Sequence, residues 1–218
     1  MNKLNIFVRI FIVLFLLFVA TASHHTNFYL TFLLLNIVLA YIPFEISNLL
    51  LKFNNKFIII LLAFLWLLFY PNSPYLLTDF FHLEALNIYE FTTPFNFVLK
   101  DWFVFSIMTC GILFGFIIGI ISLFRVINKL QKTFIKNFSF IKTFILIIVV
   151  TFIAGFAIYL GRFPRLHSYY LFIEPQLIFS LIVQSINSKS ICFSLAMASW
   201  QTVIIYLLKL FKNDKNEL

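Results

Sequence analysis

Charged side chains are scarce in this chain, and their scarcity excludes an ordinary soluble domain. Only 11% of the 218 residues are charged, 62% are hydrophobic, and the mean hydropathy is +1.02. Soluble domains carry about 25% charged residues. Apolar runs fill most of the sequence, and no connection between them is long enough for a separate soluble domain. The composition therefore predicts a single integral membrane domain spanning residues 1–218.

Cysteine is also rare, and its placement excludes a disulfide framework. Cys110 and Cys192 both lie inside apolar runs, not in loops where an oxidising compartment would pair them. We interpret both as small core residues. The chain contains no HExxH sequence, and its many phenylalanines reflect a general apolar bias. No cofactor is predicted, and a metal is not the leading expectation.

Six apolar segments approach the roughly twenty residues that a helix needs to cross a bilayer. The third is the shortest, because residues 57–70 span only about 21 Å at 1.5 Å per residue. The polar sequence after it must then begin at membrane depth or at the interface. A further stretch, residues 171–186, is interrupted by Glu174 and Pro175. We interpret it as an interfacial or re-entrant helix.

The predicted fold is therefore an all-α, polytopic transmembrane helix bundle. Its six spans lie near residues 4–22, 28–51, 57–70, 102–124, 144–160 and 191–211.

The distribution of lysine and arginine predicts how the spans are oriented. With a cytoplasmic N-terminus, twelve of the 16 cations face inward, and the C-terminus is cytoplasmic as well. Because the cations lie in short loops between spans, the net charge of +8 indicates the lipid bilayer as partner and not a nucleic acid. The first span also has the features of a cleavable signal peptide, and both interpretations remain open. Four cations face outward, namely Lys100, Arg162, Arg165 and Lys189.

Three of the five glycines follow one another at four-residue spacing in the fourth span. Gly111, Gly115 and Gly119 form the small-xxx-small pattern that lets helix backbones approach closely. We expect this face to pack inside the bundle, while the oligomeric state stays unpredicted. The fifth and sixth spans offer small-residue faces for it, formed by Ala154, Ala157 and Gly161 and by Ser194, Ala198 and Thr202.

The sequence PNSPYLLTDFFHL, residues 71–83, carries the densest group of polar side chains. Its prolines separate the third span from a new helix, for which Ser73 is a suitable N-cap. At 100° per α-helical residue, Tyr75, Thr78, Asp79 and His82 share one face. Lipid does not solvate such a face, so it must point at protein, water or other polar groups.

Three interpretations of this polar face remain open. Asp79 and His82 are catalytic candidates if Asp79 raises the basicity of His82 or is itself held near neutral pKa. The same pair would bind a metal only with a further ligand, such as Glu84, His167, His24 or His25. In the third interpretation, the four groups hydrogen-bond one another and fix the turn.

The arginines at positions 162 and 165 need a reason to face outward, since outward cations oppose the positive-inside rule. Pairing with acidic residues is one reason. Binding an anionic lipid headgroup or a phosphate is another, because the arginine fork suits such oxygens. The predicted ligand-binding residues are therefore Asn72, Tyr75, Thr78, Arg162 and Arg165.

Three sequences together resemble the domain of unknown function 1361 family of bacterial multi-pass membrane proteins. They are residues 71–83, the pair Asp101-Trp102, and GFAIYLGRFPR at residues 155–165. The resemblance runs from the second span to Pro175 and implies a multi-pass protein without an established activity. Residues 100–102 and 167–170 depart from the family's pattern. The residues that match it are Pro71, Asn72, Pro74, Tyr75, Thr78, Asp79, His82, Gly161 and Arg162.

The leading expectation is an enzyme-like or accessory protein of the bacterial cell membrane, with an extracytoplasmic polar site for an anionic, membrane-associated ligand. One alternative is a small transporter that uses Glu45, the one carboxylate within a span, as a relay. However, Glu45 is also placed to form an ion pair with Lys52 or Arg9, and the chain shows no internal repeat of the transporter kind. The other alternative is an assembly factor without a ligand.

Overall fold

The computed structural model describes residues 2–26, 30–86, 98–134, 140–166 and 175–214, and all regular structure in these ranges is helical. Six stretches within them are long and apolar enough to cross a membrane. The prediction of an all-α polytopic bundle with six spans is confirmed. In chain order the elements are α1 (Lys3–Thr26), α2 (Thr31–Lys52), α3 (Lys56–Phe69), α4 (Asn72–Tyr75), a 3-10 helix (Leu76–Ala85), α5 (Leu99–Phe134), α6 (Phe140–Arg162), α7 (Pro175–Gln184) and α8 (Ser188–Asp214).

The third span is longer than its apolar run suggests, because the polar sequence continues it. The α3 and α4 helices and the 3-10 helix form one helical stretch of 30 residues, Lys56–Ala85. Asn55 starts this stretch by accepting a hydrogen bond from the Phe57 amide at 2.9 Å. At ten residues, α7 is too short to be a further span.

Ser73 does not cap a new helix, so that prediction was wrong. The helix α4 begins at Asn72, and the residue before it, Pro71, already has helical backbone angles. No extended residue is left to act as an N-cap. The Ser73 hydroxyl is free of that role and donates to the Ala40 carbonyl of α2 at 3.1 Å. This bond ties the third span to the second.

The glycine face of α5 is closely packed, as its spacing predicts. A Cβ at Gly111 would lie 2.7 Å from Ile37 Cδ1, and one at Gly119 would lie 2.6 Å from Ser73 Oγ. A Cβ at Gly115 would overlap the side chain of Leu76. The glycines therefore let side chains of α2, α4 and the 3-10 helix pack directly on the backbone of α5.

The small-residue faces of α6 and α8 pack against each other and not against these glycines, so the predicted pairing was wrong. A Cβ at Gly155 would lie 2.7 Å from the Ser194 carbonyl oxygen. The hydroxyls of Thr151 and Thr202 are 3.0 Å apart across the same contact. Small side chains on both helices allow this approach, and the hydroxyl pair satisfies polar groups that lipid would not.

The contact between α6 and α8 gives a matched pair of substitutions. Gly155→Ala places a methyl group against the immovable Ser194 carbonyl, and overpacking of this kind costs about 1–3 kcal/mol. We expect a lower melting temperature in detergent. Gly161→Ala on the same helix is the control, because its Cβ would meet Tyr75 Cε2 at an ordinary 3.5 Å. Equal melting temperatures for the two variants would contradict the close contact.

Candidate functional site

The 3-10 geometry divides the predicted polar face into two rows. Residues three apart are stacked in a 3-10 helix, which has three residues per turn. Leu76, Asp79 and His82 form one row, here called the α2 row, in which Asp79 and His82 contact α2 and Leu76 packs against Gly115 of α5. Tyr75, Thr78 and Phe81 form the other, the α6 row, which faces α6 and α8.

The prediction of one continuous face on an α-helix was therefore wrong, because it used 100° per residue where the chain turns by 120°.

Asp79 of the α2 row is fully buried, with 0% of its surface exposed. Its Oδ2 accepts a hydrogen bond of 2.8 Å from the Asn36 amide of α2. Its Oδ1 has no hydrogen-bond partner in the part of the chain that the structure describes. Burying a carboxyl with one of its oxygens unpartnered is costly. Asp79 is therefore the polar group of this end that is least satisfied by the protein itself.

Asn36 is a site residue that the sequence reasoning missed. It lies in the second turn of the apolar helix α2, and an amide inside a span is itself a signal of a polar partner. A single amide does not indicate which residue that partner is. The contact with Asp79 depends on the helix α2 packing beside the 3-10 helix.

His82 lies one turn beyond Asp79 on the α2 row and is half-buried. Its ring packs on Phe32 of α2, with ring centroids 4.1 Å apart and planes inclined by 35°. No hydrogen bond joins His82 to Asp79, although both side chains belong to the described residues. The two groups share a face without forming a directly bonded acid–base pair.

Arg162 is the last residue of α6 and lies over the α6 row. Its guanidinium carbon is 5.8 Å from the centroid of the Phe81 ring, a cation–π arrangement. It forms no ion pair with any acidic side chain among the described residues. Its charge nevertheless acts on Asp79 and His82. Arg162 and the α2 row therefore belong to one electrostatic environment without direct pairing.

Asn72 and Thr78 use their donors within their own helix. The Asn72 amide donates to the Phe69 carbonyl at 2.9 Å, and the Thr78 hydroxyl donates to the Tyr75 carbonyl at 2.7 Å. Both side chains satisfy the backbone around the two prolines. In this structure their donors are thus engaged.

Tyr75 and Arg165 both lie near the end of α6. The Tyr75 ring packs beside Gly161. Arg165 is exposed and has φ of 57°, in the left-handed region that a residue with a Cβ rarely adopts. The backbone turns there, and the Leu166 amide donates back to the Leu160 carbonyl at 3.0 Å. The predicted residue His167 lies outside the described residues.

An apolar cleft of about 350 Å³ lies beside the α6 row, between the 3-10 helix, α5 and α8. Thr78 contributes the one hydroxyl to its wall, and Phe81 is shared between the cleft and Arg162. The rest of its lining is apolar and comes from Leu77 and Phe80 of the 3-10 helix, Leu113 and Phe116 of α5, and Met197, Trp200 and Ile204 of α8.

The comparison with protein families gives one match, the family described as "Protein of unknown function (DUF1361)", over residues 35–204. The chain belongs to this family. The resemblance seen in the sequence is confirmed, and the match includes Asn36, residues 71–83, the glycines of α5 and Arg162. Comparisons with curated proteins and with solved structures found no match.

A second polar network lies at the opposite end of this DUF1361 bundle. Arg9 binds both oxygens of Glu45, with Nη2–Oε2 at 2.7 Å and Nε–Oε1 at 2.8 Å. Tyr41 also donates to Glu45. The interpretation of Glu45 as half of a structural ion pair is confirmed, with Arg9 as its partner. A carboxylate held in this way lacks the freedom that a relay requires.

Arg125 completes that network with two amide acceptors. Its Nη1 donates to Asn48 at 2.7 Å, and its Nη2 donates to Asn5 of α1 at 2.8 Å. Its guanidinium lies 4.6 Å from the Phe44 ring centroid. Both arginines at this end are thus engaged by protein groups.

A metal site finds no support in the described part of this DUF1361 chain, where no group of three potential His, Cys, Asp or Glu ligands comes together. Of the further ligands considered, Glu84 is exposed. His167 lies outside the described residues, and the side chains of His24 and His25 are not described either. What the arrangement offers chemically is a cation, a buried carboxyl and an imidazole at one end of the bundle.

Proposed function

We propose that this DUF1361 protein binds an anionic, membrane-associated ligand at the end of the bundle where α6 ends, as an enzyme-like or accessory protein. The observation that carries the proposal is Arg162, which is half-buried and has no acidic partner among the described side chains. A half-buried cation that no described acid neutralises leaves its charge available to attract an anion. The arginine fork binds phosphate and carboxylate oxygens with two parallel hydrogen bonds.

Asp79 and His82 give the site its capacity for proton exchange. Asp79 Oδ1 can still bind a proton or accept a hydrogen bond from the ligand, since Asn36 donates only to Oδ2. His82 is one turn away, and its imidazole can accept or donate a proton. These two groups are the catalytic candidates if the protein transforms its ligand as well as binding it.

The site is proposed to face outward from the cell membrane of a bacterium, with both protein termini in the cytoplasm. The cation distribution supports this orientation, because twelve of 16 lysines and arginines fall on the proposed inner side. The network of Arg9, Glu45 and Arg125 lies at that end, and Arg162 lies at the other. Membrane proteins oriented by their cations follow this pattern.

Cysteine labelling tests the orientation. In a chain with Cys110 and Cys192 replaced, Glu84→Cys and Arg165→Cys should react with an impermeant thiol reagent in intact cells, because both positions are exposed. Lys132→Cys, at the other end of α5 and also exposed, should react only after the cells are opened. Labelling of Lys132→Cys in intact cells, with protection of the other two, would reverse the orientation.

Lipid-dependent melting tests the ligand. Adding phosphatidylglycerol to the detergent-purified protein should raise its melting temperature, because a ligand that binds only the native state stabilises it. Arg162→Gln should weaken this effect so that about tenfold more lipid is needed, a loss of about 1.4 kcal/mol. Lys189→Gln removes an exposed charge that the same orientation places outside, and should leave the response unchanged.

If both variants lose the response equally, the rise in melting temperature comes from non-specific charge attraction.

Asp79→Asn provides a further check in the absence of lipid. Arg162 forms no ion pair with Asp79, although its charge reaches that carboxyl, so the stability effects of their substitutions should couple only weakly in the double variant. Recovery of stability in the double variant would instead show that the two groups pair and leave Arg162 unavailable.

A further inference from the structure

We propose that the apolar cleft beside Phe81 binds a hydrocarbon chain of the ligand, so that the ligand is an anionic amphiphile drawn from the bilayer. The anionic group rests on the proposed function above. The chain rests on the cleft, which is a separate observation. Together, the cation and the cleft would bind the headgroup and the hydrocarbon chain of one lipid molecule.

The walls of the cleft specify an occupant without hydrogen-bonding groups. Phenylalanine, leucine, methionine, isoleucine and tryptophan side chains form nearly all of its lining. The Thr78 hydroxyl already donates to Tyr75, and the Trp200 indole donates to the sulfur of Met197 at 3.3 Å. A polar ligand group placed there would lose its hydrogen bonds to water without replacement. A hydrocarbon chain meets no such cost.

The size and position of the cleft agree with a chain that enters from the membrane. Its volume of about 350 Å³ lies within the ~300–1,000 Å³ typical of small-molecule pockets. Phe81 is 69% exposed and Leu113 is 43% exposed, so the rim of the cleft opens on the outer surface of the bundle. In a six-span bundle that surface borders lipid.

Phe81 connects the cleft to the cation. Phe81 lines the cleft, and the Arg162 guanidinium carbon lies 5.8 Å from the centroid of the Phe81 ring. A chain that fills the cleft therefore brings its headgroup to Arg162. Since Arg162 forms no ion pair with a described acid, the complementary headgroup is anionic.

Fluorescence quenching of Trp200 tests the proposal, because bromine atoms on a lipid chain quench an indole that they touch. The full chain with Trp102→Phe is placed in phosphatidylcholine vesicles. Trp66 is 2% exposed and gives a constant background. Small fractions of lipid with brominated chains are added, carrying either a phosphatidylglycerol or a phosphatidylcholine headgroup. A protein with Trp200→Phe that retains Trp102, which is 42% exposed, reports contact with bulk lipid.

We expect brominated phosphatidylglycerol to quench Trp200 at about fivefold lower fraction than brominated phosphatidylcholine does, through charge-assisted hydrogen bonds to Arg162. Trp102 should not distinguish the two headgroups. Leu113→Phe, which fills the cleft, should reduce quenching of Trp200 by both lipids. Ile117→Phe, one turn further along α5 and outside the cleft, is the matched control. Met197→Phe fills the cleft from the opposite wall and replaces Leu113→Phe if that variant does not fold.

The outcomes separate the two proposals. Quenching of Trp200 that equals that of Trp102 and is unaffected by both filling variants would overturn the chain site. The melting response that depends on Arg162 would still support the anionic ligand. In another outcome, Trp200 is strongly quenched and the filling variants reduce the quenching, but the two headgroups quench equally and Arg162→Gln has no effect. This result would support the chain site and overturn the anionic ligand.

Discussion

The rest of the structure depends on the close approach of α5 to the third span through its glycines. Ser73 packs on Gly119 and Leu76 packs on Gly115, so closely that a side chain at either glycine would overlap them. This contact holds residues 71–83 against the bundle, where Ser73 also reaches α2. With the 3-10 helix fixed there, one row of its side chains meets α2 and the other is turned toward α6 and α8.

The charged side chains at the two ends of the bundle differ in whether protein groups neutralise or hydrogen-bond them. At one end, Arg9 and Glu45 neutralise each other and Arg125 is satisfied by two asparagines. At the other, Arg162 lies over the Phe81 ring and pairs with no acid among the described residues, and one oxygen of Asp79 has no partner among them. Membrane proteins rarely leave ionisable groups unsatisfied unless the groups serve a ligand or a proton. This contrast is the basis for placing the function at the end near Arg162.

Some of these features follow from the sequence because they depend on short stretches of chain. Span number follows from the length of apolar runs, and the close packing of α5 follows from the spacing of three glycines. The ion pair of Glu45 follows from its depth, since a carboxylate inside a span requires a partner and Arg9 lies at a similar depth.

Other features depend on contacts between distant residues. The 3-10 winding of Leu76–Ala85 arises where the helix packs on α5 and α2, and residue preferences do not distinguish 120° from 100° per residue. Gly155 and Gly115 carry similar small-residue patterns, so spacing alone did not reveal that they face different helices. Asn36 and the cleft were missed because each depends on a neighbour far along the chain.

Native mass spectrometry of the protein extracted from its own membrane tests the central claim most directly, because it identifies what the site retains without an added probe. The account predicts a single anionic lipid or lipid-like amphiphile bound to the intact chain, and its loss from the Arg162→Gln protein. A chain that carries no lipid, or carries only zwitterionic lipids in both proteins, would contradict the claim that Arg162 serves an anionic ligand.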